Sequence, residues 1–143
     1  MAYEKTLHRA MALAAFFGVL VLLGFPRVLE PSPSGMGTHE QIGMPACNFY
    51  RLFHIPCPAC GGTTAFAEMS RGHFQRALRA NIFSSLLYGL LFFFGLDLLG
   101  FALLQRSCLI ERLPNIALPL AKLLSLLIIA SWLVKLYLFS QWS

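Results

Sequence analysis

This sequence is poor in charge. Only 12% of its 143 residues are Asp, Glu, Lys or Arg, against 57% hydrophobic. That balance excludes an ordinary soluble domain and fits a small integral membrane protein. Acidic residues are the scarcest: six Asp and Glu face eleven Lys and Arg, for a net charge of +5. Such a surplus can mark a nucleic-acid binder, but here the arginines flank apolar runs. Anionic lipid headgroups are therefore the expected partner, and nucleic acid is not. The chain also lacks a phosphate-binding glycine loop and any repeat of roughly 20–50 residues. No segment is large enough to form an independent soluble core, which argues against a soluble catalytic domain.

What the chain does have is three long apolar runs, from about Ala10 to Phe25, Ile82 to Leu104 and Ile116 to Phe139. A helix rises about 1.5 Å per residue across a hydrocarbon layer about 30 Å thick, so the second and third runs span it comfortably. The first is shorter and has a basic flank of Lys5, His8 and Arg9. No small-x-small cleavage site follows it, which favours a retained helix over a cleaved leader. Ala10, Ala14 and Gly18 recur every four residues, the spacing of close helix contacts in lipid. The expected fold is all-α: three transmembrane helices at about 8–26, 82–104 and 116–139 in a single membrane domain. A Pro/Gly-rich loop (27–46), then a cysteine motif and short interfacial helix (47–80), would join the first two helices. Basic residues divide four against five between the two sides, so the positive-inside rule does not orient the chain.

The chemistry concentrates in that loop. Its first part, from Pro26 to Pro45, has no apolar period and reads as extended, irregular chain. Next comes the aromatic-rich CNFYRLFHIP segment, suited to the headgroup region. Cys57-Pro58-Ala59-Cys60-Gly61 follows, and Cys47 completes a C-x9-C-x2-C pattern. Cys108 lies beyond the second span and would be a separate free thiol. Three readings stay open. As a metal site, Cys47, His54, Cys57 and Cys60 supply four zinc-type ligands, but only one C-x-x-C half-site exists where a knuckle normally shows two. As a redox site, a helix opening at Gly61-Gly62-Thr63-Thr64 would bring N–H groups near Cys60 and favour its thiolate. As a structural element, Pro56, Pro58 and the glycine pair force a tight reversal into which small cysteines pack.

Pro45-Ala46-Cys47, Ile55 to Gly61, Thr63-Thr64-Ala65, Arg71-Gly72, Ala77-Leu78 and Asn81 together resemble a bacterial family of small membrane proteins, domain of unknown function 2752, with its CPxCG motif. The resemblance covers about Cys47 to Asn81. It implies a multi-pass protein of the bacterial inner membrane with no established activity. Within the motif, Pro58, Gly61 and Thr63 are the supporting positions. Two positions depart from the family pattern: Thr64 stands where the family has Arg, and His54 where Gly is common.

Charge inside the spans is costly and therefore informative. Asp97 and Lys122 fall at nearly equal depth in a hairpin of the second and third helices, and an ion pair between them is expected. Lys135, near the end of its helix, is expected to snorkel to the interface. Arg71, Arg76 and Arg79, beside the second span, are expected to contact lipid headgroups. The functional reading favoured is a non-catalytic inner-membrane protein or accessory subunit whose cysteine loop is a compact cap, stapled or metal-bound. Its partners would be the bilayer and other membrane subunits, and zinc would be its cofactor if a metal is held. The alternative is a thiol-disulfide redox protein or metal carrier using the C-x-x-C pair.

Overall fold

In hydrocarbon no water satisfies backbone N–H and C=O groups, so long apolar runs fold as helices that satisfy them internally. The computed structural model describes residues 2–104 and 113–140. Three long helices dominate it: α1 (Ala2–Gly24), α5 (Ile82–Leu104) and α6 (Leu113–Ser140). All three are long and apolar enough to cross a membrane, and no strand occurs among the described residues. Between α1 and α5 lie α2 (Asn48–Phe53), α3 (Gly62–Ser70) and α4 (Phe74–Ala80). Where the sequence suggested one interfacial helix there are thus three short ones. Gly72, at φ +80°, makes the break between α3 and α4.

α1 packs along α5. Ala12, Leu98 and Ala102 are buried at the contact, flanked by Phe16, Val19, Phe94 and Phe101. The expected Ala10, Ala14, Gly18 stripe is not this face: all three are exposed. The small residue that permits close approach is instead Gly95 of α5, where an added Cβ would stand 3.1 Å from Val19 Cγ1. A stripe of small residues is only one way to bring helices together. Here one glycine receives a β-branched side chain.

The segment expected to be extended and irregular is docked. Thr38 is fully buried, accepts the Ser32 N–H at 2.9 Å and bonds the Thr64 hydroxyl at 2.8 Å. Glu30 and Gln41 exchange two more hydrogen bonds across it. Its lower end is tied by arginines: Arg27 donates to Ser70 O at 2.7 Å, and Arg71 donates to Arg27 O at 2.8 Å. Ala65, Ala77 and Ala80 form a small core where α3 meets α4, with Met69 against it. The loop is therefore a folded cap on the ends of α5 and α6.

Replacing Gly95 with Leu should loosen the α1–α5 contact by about 1–3 kcal/mol, because extra methylenes must displace Val19. Thermal unfolding of the full chain in neutral detergent measures this. An unchanged midpoint would show that the contact at Gly95 does not limit packing.

Candidate functional site

The Pro56–Gly61 turn brings the cysteines to the mouth of α5. It closes on itself through Cys60 N–H to Cys57 O at 3.1 Å and Gly62 N–H to Ala59 O at 2.9 Å. Gly61, at φ +78°, starts α3, and a side chain there is excluded twice over. A Cβ would stand 2.5 Å from Gly35 O and 2.6 Å from Ala80 O, in a backbone conformation that L-residues avoid.

The turn's other carbonyls have no partner within it and are taken by three side chains from elsewhere. Trp132 Nε1 of α6 donates to Pro56 O at 2.8 Å. Asn81 Nδ2 donates to Pro58 O at 2.9 Å and to Cys60 O at 3.0 Å. Lys135 Nζ of α6 donates to Cys60 O at 2.5 Å and to Ala80 O at 2.8 Å. Asn81 also caps α5, its Oδ1 accepting the Ser84 N–H at 2.8 Å. Where the sequence suggested a snorkelling side chain, the Lys135 ammonium is held by two carbonyls of the cap. Aromatic contacts extend the same seam, with Phe49 edge-on to Trp132 and Tyr50 edge-on to Phe139.

Within this frame the Sγ atoms of Cys47, Cys57 and Cys60 lie within 4.8 Å of one another. All three are free thiols, and Cys57 Sγ donates to Cys60 Sγ at 3.1 Å. Their environments differ. Cys47 is half-buried just before α2, where the Tyr50 backbone N–H holds its thiol below the ordinary value. Cys60 is buried, and burial, with Cys57 beside it, pushes its thiol up to about 12. The sequence-based expectation of a thiolate favoured at Cys60 is therefore reversed, since desolvation outweighs the one lowering contact, a backbone hydrogen bond at Cys57.

As a ligand set the three sulfurs are well gathered. Thiolates bound to one zinc ion at about 2.3 Å stand roughly 3.8 Å apart, within the spread seen here. His54 is not in the cluster; it is exposed and ends α2 at φ +55°. That left-handed conformation is one glycine adopts without strain.

The remaining expected residues scatter. Pro58 lends its carbonyl to Asn81, while Thr63 is exposed and its neighbour Thr64 makes the buried contact to Thr38. Arg71 is occupied by backbone, donating to Ala67 O at 3.0 Å as well as to Arg27 O. Arg76 and Arg79 are exposed on α4. Asp97 is half-buried on α5, and Lys122 is exposed on α6. Cys108 lies outside the described residues. Sequence reasoning missed Thr38, Trp132 and the inward role of Lys135. It quoted Asn81 only as part of a pattern. The available signal was Trp132 and Lys135 at i, i+3 spacing, hence on one helix face, at the end of α6 that returns to the loop.

Asn81→Ala removes two donors from turn carbonyls and the cap of α5, and should cost about 2–4 kcal/mol. Gly61→Ala should be at least as damaging, because backbone and not a flexible side chain blocks the added methyl. Chemical unfolding of the full chain in neutral detergent tests both. Wild-type stability in Asn81→Ala would mean that water replaces the amide without loss.

No curated protein and no solved structure matches this chain. Residues 47–95, which hold the three clustered thiols, the turn and the start of α5, match the family described as Protein of unknown function (DUF2752).

Proposed function

We propose that this is a small non-catalytic protein of the bacterial inner membrane, or an accessory subunit there, whose cysteine loop is a structural cap. The three thiols close the cap, through a thiophilic divalent ion such as zinc or through a bridge between two of them. The convergence of three sulfurs inside a turn whose carbonyls are already held by Asn81, Trp132 and Lys135 carries this reading. A redox dithiol needs an exposed thiol that ionises readily. Cys60 is buried, with its thiol pushed up to about 12, which favours a packed structural role over an attacking one. The extensive lipid-facing surface of α6 supports docking to other membrane subunits or to the bilayer itself.

The test uses the full chain purified in neutral detergent with zinc buffered in the medium. Metal analysis and thiol counting should find either roughly one tightly held ion or one bridge per chain. Replacing Cys47, Cys57 and Cys60 together with Ser should then lower stability by about 2–5 kcal/mol. Three free thiols, no retained metal and an unchanged unfolding midpoint in the serine variant would remove the cap. Rapid, reversible exchange of Cys57 and Cys60 with glutathione in a fully stable protein would favour the redox alternative.

A further inference from the structure

A second site stands apart from the thiols. Between the Pro31–Gly35 turn and α4 lies a cleft of about 470 Å³, walled by Ser32, Ser34, Thr64, Glu68, Arg76 and Arg79. Arg76 and Arg79 are three residues apart on α4 and so share a face. Neither guanidinium has a hydrogen bond or ion pair to another side chain or to backbone among the described residues. Arg71, by contrast, is committed to carbonyls. The one carboxylate in the wall, Glu68, is nearly buried and is held by His73 Nδ1 at 2.7 Å. Two arginines without partners among the described residues thus line a cleft whose one carboxylate is already engaged.

We propose that this cleft binds a phosphate group carried as a phosphodiester, with Arg76 and Arg79 gripping its oxygens. Paired guanidiniums offer several N–H donors in fixed planes, the arrangement that suits a phosphate better than a point charge does. The cleft exceeds the size of a bare anion and leaves room for a substituent. Glu68, as a carboxylate in the wall, disfavours a doubly charged free phosphate. Ala80, in the same wall, lies two residues before the first residue of α5, so the cleft opens at the mouth of a membrane span. With α5 across a bilayer, the phosphodiester headgroups of surrounding lipids would stand near that end of the helix.

Titration calorimetry on the full chain in a neutral maltoside detergent tests this, with dihexanoyl phosphatidylglycerol below its micellar concentration as one probe and inorganic phosphate as the other. Saturable binding of the lipid probe is expected, weakened roughly tenfold or more in Arg76→Gln/Arg79→Gln. It should be little changed in Arg9→Gln/Arg51→Gln, which removes equal charge from exposed positions elsewhere. Displacement of the lipid probe by inorganic phosphate in the wild-type protein supports the phosphate as the recognised group even if a variant fails to fold. Tighter binding of inorganic phosphate than of the lipid probe would overturn the diester assignment. Equal weakening in both double variants, or no saturable binding of either probe to the wild type, would overturn the site.

Discussion

Three carbonyls of the Pro56–Gly61 turn point away from any partner in their own segment, and the fold is arranged around satisfying them. In a turn buried at Pro56, Cys60 and Gly61, each orphaned acceptor costs about 1–3 kcal/mol. Trp132 takes Pro56 O, Asn81 takes Pro58 O and Cys60 O, and Lys135 takes Cys60 O with Ala80 O. This clamp determines where the end of α6 lies. It also fixes the first residue of α5, because the amide that binds the turn also caps that helix. With the turn held, Cys57 and Cys60 face Cys47.

Burial and chemistry follow from the same arrangement. The donors that hold the turn also shield Cys60, whose thiol rises to about 12, while Cys47 at the rim is lowered by the backbone N–H of Tyr50. One cluster therefore contains thiols of opposite tendency, the more ionisable at its edge. A metal ion arriving from solvent would meet Cys47 first. It would have to displace the proton of Cys60 to be held by that thiol, so capture would be favoured by rising pH. The arginine-walled cleft shares no side chain with the thiols, although its wall at Gly35 and Ala80 abuts the turn at Gly61.

The parts of this architecture governed by solvent were legible in the sequence. Long apolar runs gave three spans, and Arg71-Gly72 marked a real break because only a residue tolerant of positive φ fits there. The three loop cysteines could be grouped because no span separates them. Contacts set by tertiary geometry were not legible. Thr38 lies in a Pro/Gly/Ser-rich stretch with no period, yet it is fully buried because Thr64 offers a matching hydroxyl. Ala10, Ala14 and Gly18 had the right spacing but the wrong face. Lys135 looked like a snorkelling side chain because the acceptors that draw it inward lie 55 and 75 residues away in the chain.

The clamp itself is tested most directly by the alkylation rate of Cys60 in reduced, metal-free protein, compared between wild type and Lys135→Met. With its thiol pushed up to about 12, Cys60 is almost wholly protonated at pH 8, far more so than an ordinary thiol. Wild-type labelling should be slow and should keep rising with pH past 10. Loss of the Lys135 clamp should open the turn and speed labelling at pH 8 by roughly tenfold or more as the thiol moves back toward its ordinary value. Removing a nearby positive charge from an otherwise intact turn would slow the reaction, so the sign alone separates the two cases. An unchanged or slower rate in Lys135→Met would contradict the account.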